Sequence, residues 1–358
     1  MERIELDADG ALALAARLYG LTGGSATEMV GYDDKNFRLQ PDEVVGNEHV
    51  DGLAPHGYTL KVINNVDSEY PDVIDGQNFL FQFLYDRGVV CPRPIKNKQG
   101  KTFSVEQLRP NGPGHAVRLL EFVPGDMLGR VPWQADFAVQ VGRELAKLTA
   151  LLDEVDVPAI RARDMPWSLW RAPDVLQHLH VVPDAARAAL VSEVLDAFRR
   201  DTEAHADFLR DDAGIIHGDY NQFNLVVRRP GAGAAYSLAG VIDLGDCHWA
   251  PRVFEVALAA TYMGMTSGTV EAVRDVLVGY AERRPLAPEA VGLLRVCICA
   301  RLCQSLVLGL HAHEKDPSNA YVLDSQQSGW PLLLALWQAP PGTFEAQWGE
   351  ALGMQRQV

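Results

Sequence analysis

"IIHGDYNQFNLVV", residues 215–227, sets a histidine, an aspartate and a group of amides between two apolar runs. The flanking runs read as buried strands, so the polar residues fall on the connection between them. His217, Asp219 and Asn224 form an H-x-D-x-x-x-x-N spacing. Beyond the turn-rich "RRPGAGAAYS" a second apolar run leads into Val241-Ile242-Asp243-Leu244-Gly245-Asp246, and a hairpin across that turn puts four polar side chains at adjacent strand ends.

Asn224 and Asp243 are oxygen ligands of the kind hard Mg2+ prefers, which leaves Asp219 free to orient and deprotonate an attacking hydroxyl. That is the arrangement of phosphoryl transfer, where positioning and charge neutralisation supply most of the catalysis. A lone H-x-D match would more simply be a buried aspartate capping a turn. Here the downstream Asp-x-Gly-Asp and a lysine in mid-strand, Lys61 of "TLKVIN", support the chemistry jointly.

Lys61 is expected to contact nucleotide phosphate, a role in which protein kinases hold the lysine with a helix glutamate. The expected helix carries Gln77 there, which can accept a hydrogen bond but brings no charge; Asp75 should point to another side of the helix. "GYDDKNF", residues 31–37, occupies the place of a phosphate-covering loop without the G-x-G-x-x-G pattern. Asp34 and Asn36 are its candidate nucleotide contacts, although aspartates beside a polyphosphate repel it unless they cap the turn or meet metal. In "LLEFVPGD", Glu121 and Val123 mark the hinge whose backbone would pair with the base.

Working outward, the pattern predicts a short helix over 12–20, strands in "MVGYDDKNFRL", "GYTLKVIN" and "HAVRLLEFVPGD", and a helix over 71–87 opened by Pro71. These make a small antiparallel-sheet lobe around a single principal helix. Helical periodicity then covers 134–155, 173–210, 251–265 and 287–312, with the runs around Asp219 and Asp243 the only strands. The fold class is α+β, protein-kinase-like and bilobal: residues 1–119 bind nucleotide, 120–126 form a hinge, and 127–358 form a helical lobe with the catalytic loop and acceptor site.

At 358 residues, with 47% apolar and 22% charged side chains, the chain can bury two sizeable cores. A net charge of −15 with no basic stripe argues against nucleic acid and for cationic small molecules. The charged stretch "MERIELDADG" does not read as a signal peptide and no run of roughly 18 uninterrupted apolar residues occurs, so a cytoplasmic, non-membrane protein is expected. Five cysteines give no disulfide framework. Cys297, Cys299 and Cys303 near His311 and His313 could be read as a metal cluster, but Cys297 and Cys299 point to different helix faces, and packing accounts for them better.

With these motifs in place the chain resembles the aminoglycoside phosphotransferase/choline kinase-like family over nearly its full length. The resemblance is carried by "YDDKNF", "YTLKVIN", "PDVIDGQN", "VRLLEFVPG", "HGDYNQFN", "GVIDLGD", "VFEVALAATYM", "RLCQSLV" and "SGW". The amino-terminal and late motifs are similar to the branch that phosphorylates the hydroxyl of 5-hydroxy-L-lysine with GTP, so the resemblance implies GTP, Mg2+ and that acceptor. It assigns Asp219 as base, Asn224 and Asp243 as metal ligands and Lys61 to phosphate. Gln77 matches what that branch usually carries.

An acceptor with two ammonium groups and one carboxylate needs a partner for each charge. Asp246 and Glu255 are the candidates for ammonium, with Trp249 and Tyr262 supplying aromatic faces. Arg301, in the apolar "CICARLCQSLV", is the candidate for the carboxylate, because an unpaired guanidinium there would be costly. Glu255 holding loop backbone and Arg301 in a structural ion pair are the competing accounts. ATP-dependent transfer to an aminoglycoside, choline or homoserine, or a non-catalytic nucleotide-binding scaffold, are the alternatives in function. A protein kinase is disfavoured: the apolar helix "VFEVALAATYM" follows Asp243 within about ten residues, leaving no activation segment, and Asn221 stands where those enzymes usually carry lysine. Oligomeric state is not legible.

Overall fold

The computed structural model describes residues 4–31, 33–317 and 323–354. Tyr32, within the expected phosphate loop, lies outside them. The chain divides into two compact units, Met1–Gly125 with Gly240–Ile242, and Asp126–Ala239 with Asp243–Val358.

The first unit is built on a six-stranded antiparallel sheet. Strands β2 (Ser25–Met29), β3 (Lys35–Gln40), β5 (Tyr58–Val62), β8 (Gly114–Glu121) and β6 (Pro94–Ile95) follow one another, and β7 (Ser104–Gln107) also pairs with β8. A small ladder joins β1 (Leu21–Thr22) to β4 (Glu43–Val44). Because side chains alternate along a strand, Phe37, Leu39, Leu60, Val62, Val117 and Leu119 share one face and pack with Leu14, Ala15, Leu18 and Tyr19 of α1 (Ala8–Tyr19). The other face carries a polar row, Asn36 opposite Lys61 opposite Arg118, towards α2 (Pro71–Asp86). Two helices therefore cover this sheet where one was expected to dominate. Asp7 caps α1 by accepting the Gly10 N–H at 2.8 Å, and Gly20 ends it at φ 73°, so local chemistry alone sets both boundaries.

The second unit is mostly helical. It contains β9 (Asp126–Met127), α3 (Phe137–Leu152), α4 (Pro158–Arg161), a 3₁₀ helix (Leu169–Val181), α5 (Ala185–Ala204), α6 (Ala206–Asp211), β10 (Ala213–Ile216), β11 (Leu225–Arg228) and β12 (Ser237–Val241), the last of which runs into Gly240–Ile242. After β13 (His248–Pro251) follow α7 (Arg252–Ser267), α8 (Glu271–Ala281), α9 (Pro288–Lys315), α10 (Asp324–Trp337) and α11 (Thr343–Ala351). The single helical span expected over 173–210 is broken, because Pro183 removes a donor and pushes Val182 out of helical geometry. A strand was also missed. The four-residue β13 pairs antiparallel with β10, Ile215 opposite Trp249, too short and proline-ended to show a period.

Helix α9 is apolar enough in length and composition to cross a membrane, yet 78% of its apolar window is buried inside the fold, as in a core helix. All five cysteines are free and buried, which bears out packing for the trio on α9.

Helices α3 and α8 approach so closely that a Cβ on Gly142 would lie 2.1 Å from the Val276 carbonyl oxygen, and one on Gly279 2.1 Å from that of Val139. Gly→Ala in a helix ordinarily gains up to about 1 kcal/mol. Here the clash is with backbone, so Gly142→Ala is expected to lose about 1–3 kcal/mol or more. A thermal melt that is unchanged or raised would contradict this packing account.

Candidate active site

The segment 217–224 is held by its own side chains. The Asp219 N–H points to His217 Nδ1 at 3.3 Å, and Asn221 Oδ1 accepts the N–H groups of Phe223 and Asn224 at 2.7 and 3.2 Å. Gly218 has φ 82° and a Cβ there would sit 2.3 Å from the Asp246 carbonyl oxygen, so only glycine fits between the histidine and the aspartate.

Asp219 is oriented from three sides. Its Oδ2 accepts from Asn221 Nδ2 at 2.8 Å and Asn224 Nδ2 at 2.9 Å, and its Oδ1 lies 3.4 Å from Arg301 Nη2. Asn224 thus turns its amide nitrogen to Asp219, while no donor among the described residues reaches its Oδ1. Asp243 has φ 61°, uncommon for a residue with a side chain, and its Oδ1 accepts the Gly245 N–H at 2.9 Å. Such backbone strain clusters at functional sites. Burial first, and then the neighbouring carboxylates of Asp219 and Asp243, push the Asp246 carboxyl up to about 8. A donor set of one amide oxygen and crowded carboxylates is what a hard divalent cation would relieve, so these residues fit Mg2+.

Of the acceptor candidates, Asp246 stays with Asp219 and Asp243, its carbonyl accepting from His248 Nδ1 at 2.8 Å. The His248 Nε2 reaches Ser168 Oγ at 3.0 Å, and burial pushes its pKa down to about 4, so the imidazole is neutral.

The other acceptor candidates have partners inside the protein. Glu255 is 2% exposed and its carboxylate accepts the backbone N–H groups of His217 and Gly218, the latter at 3.2 Å; it holds the start of the 217–224 loop from α7. Burial lifts its carboxyl above the ordinary value, while the charge of His217 and the two N–H donors pull it back. Arg301 is 1% exposed, with Nε and Nη2 on the Tyr262 hydroxyl at 3.1 and 2.8 Å, Nη1 on the Trp167 carbonyl and Gln304 Oε1 at 3.0 and 2.9 Å, and Nη2 also towards Asp219. A guanidinium has five N–H donors. All five are engaged, so none is left for a substrate carboxylate, and Tyr262 supplies Arg301 with an oxygen rather than a ligand with an open ring face. Trp249 lies on β13 with Arg161 over its ring at 3.9 Å, so one aromatic face is covered by a protein cation.

In the first unit the Lys61 ammonium lies 3.0 Å from Asp34 Oδ2, and Asp34 Oδ1 accepts the N–H and Nδ2 of Asn64 at 2.9 and 3.1 Å. Asp34 is therefore the carboxylate partner of Lys61 and a cap for residue 64, which answers how an aspartate can stand in that loop. Gln77 is buried and its Oε1 accepts from Arg118 Nη1 at 3.1 Å, alongside Asn78 Oδ1 at 3.2 Å. Arg118, 1% exposed and beside Lys61 in the sheet, was not foreseen; only its place within the predicted strand "HAVRLLEF" hinted at it. Asn36 pairs across from Lys61. The Glu121 carboxylate binds Arg93, and its N–H donates to the Arg93 carbonyl at 2.8 Å. The N–H and C=O of Val123 have no partner among the described residues.

A family model described as the phosphotransferase enzyme family, APH, matches residues 50–289, more than half of the chain. The chain belongs to the phosphotransferase enzyme family. Within that family it is 29% identical over 350 residues to a hydroxylysine kinase of Danio rerio, covering 96% of this chain and 94% of the relative, and 26% identical to one of Bos taurus, covering 95% and 92%. This phosphotransferase also shares its fold with solved structures of low identity. An amicoumacin kinase in complex with AMP-PNP and Ca2+ has TM-score 0.67 at 15% identity, covering 96% of this chain and 97% of that one; a microcompartment-associated aminopropanol kinase has 0.67 at 17%, covering 95% and 97%. The protein is a kinase-fold phosphotransferase acting on an alcohol.

Proposed function

We propose that the chain transfers the γ-phosphoryl group of GTP to the 5-hydroxyl of 5-hydroxy-L-lysine. The observation that carries the reading is Asp219, whose two carboxylate oxygens are aimed by Asn221, Asn224 and Arg301. Asp219 takes the proton of the acceptor hydroxyl as its oxygen bonds to the γ-phosphorus; the bond to the β–γ bridging oxygen breaks and GDP leaves. Asn224 Oδ1 and Asp243 would hold Mg2+, which when bound neutralises phosphate charge. Lys61, poised by Asp34, contacts phosphate, with Asn36 beside it and Gln77 steadying the cationic row through Arg118. The free backbone groups of Val123, next to Glu121 in a hinge over 120–126, pair with the base.

The acceptor follows from charge and from the near full-length similarity to proteins named hydroxylysine kinase. Asp246 takes an ammonium group; crowded carboxylates suit an aminated alcohol better than a neutral one. The preference for GTP rests on family resemblance, since hinge backbone groups can serve either purine. A cytoplasmic location, where nucleoside triphosphates are available, belongs to the same reading.

The test is a turnover panel of hydroxylysine, choline, homoserine and kanamycin, each with GTP and with ATP. Hydroxylysine with GTP is expected to give the highest kcat/KM; a better rate with another acceptor, or with ATP, replaces that part of the assignment, and no turnover with any pair supports a scaffold. Asp243→Ala is expected to abolish the Mg2+-dependent part of GTP affinity in calorimetric titrations, and a variant that keeps the wild-type affinity with Mg2+ would remove Asp243 from the metal role.

A further inference from the structure

Beyond the phosphotransferase chemistry, a second cluster of ligand-bearing side chains lies at the far end of the helical unit. His180 closes the 3₁₀ helix Leu169–Val181, and His311 and Glu314 stand one turn apart on the same side of α9. Glu314 Oε2 lies 3.6 Å from His180 Nε2 and 3.7 Å from His311 Nδ1, and the three ligand atoms all fall within 4.8 Å of one another. These separations exceed hydrogen-bond length. The two separations from Glu314 are close to the edge of a coordination tetrahedron: bonds of about 2.0–2.1 Å place two ligands roughly 3.4 Å apart.

Two further observations point to a bound ion. His311 Nδ1 is buried and has no hydrogen-bond partner, an unsatisfied polar atom aimed at the middle of the cluster. The His178 ring stacks on His311 at 3.8 Å and 21°, which fixes the imidazole plane.

We propose that His180, His311 and Glu314 form a binding site for a divalent transition metal of the Zn2+ class, with water at the remaining corner. Two imidazoles and one carboxylate suit that ion rather than Mg2+ or Ca2+. Arg301, which reaches Asp219, lies ten residues before His311 on α9, a rise of about 15 Å. The metal is therefore a clip, not part of the phosphoryl chemistry: it ties the end of the 3₁₀ helix to the last turn of α9, while the other end of the same 3₁₀ helix is tied to the middle of α9 where Arg301 and Gln304 bind the Trp167 and Ser168 carbonyls.

The probe is Zn2+ added to chelator-treated full-length protein in excess Mg2+, followed by calorimetry and thermal melting. The expected result is one equivalent bound in the low-micromolar range or tighter, with a raised Tm. His180→Ala, His311→Ala and Glu314→Gln are expected to weaken binding by at least about tenfold, with metal-free melting and turnover as in the wild type. Asp243→Ala is expected to keep the Zn2+ affinity, which separates this site from the nucleotide's metal. Cobalt in place of zinc is expected to show ligand-field absorption without a thiolate charge-transfer band. Absence of stoichiometric binding, unchanged affinity in the three variants, or a thiolate band overturns the proposal.

Discussion

Asp219→Asn is expected to lower kcat by roughly 10²- to 10⁴-fold, the range of a positioned general base, while GTP affinity stays close to wild type. The substituted amide can keep its oxygen towards Asn221 and Asn224, which now donate to Oδ2 at 2.8 and 2.9 Å. Its nitrogen then meets Arg301 Nη2, a donor facing a donor where the carboxylate oxygen lies at 3.4 Å. The shape of the loop survives because Glu255 and Asn221 hold its backbone independently. What is lost is the basic oxygen. Single-turnover rates alongside calorimetric GTP binding check both parts, and a rate near wild type would remove Asp219 from the role of base.

Arg301→Met is expected to lower kcat by about 10- to 100-fold, because a hydrogen bond to a charged group is worth about 1.5–3 kcal/mol. It is also expected to cost about 3–5 kcal/mol of stability, as breaking a buried charged network does. The reason is the count of donors: one side chain satisfies the Tyr262 hydroxyl, the Trp167 carbonyl, Gln304 and Asp219 at once. Arg301→Lys cannot rescue it, since an ammonium has three donors and no planar fork. The decisive readout is the split between KM and kcat. With all five donors engaged inside the protein, KM for hydroxylysine and for its analogue without the carboxylate should move together. A selective rise in KM for the carboxylate-bearing acceptor would return Arg301 to substrate binding.

The chemistry of this protein is legible where its partners are close in sequence. His217, Asp219 and Asn224 lie within one loop, so their spacing already puts the proposed base beside the proposed amide ligand, and the apolar runs on either side declare the strands that frame them. The alternation in "YTLKV" likewise places Lys61 opposite the core-facing Leu60 and Val62. Helix α2, opened by Pro71, shows its start directly, whereas α1 begins at Ala8, four residues before the expected start.

Only tertiary structure decided which of the remaining polar residues still have a free valence for a ligand. Glu255 satisfies backbone donors 37 and 38 residues away, and Arg301 meets acceptors at 167, 219, 262 and 304. Periodicity records which face a residue takes, because helix and strand geometry repeat locally; it does not record which distant group meets that face. The same limit hid the Asp34 partner of Lys61 and brought His180 up to His311 and Glu314, since a charge's role is set by distances of 3 to 4 Å that the folded packing alone creates.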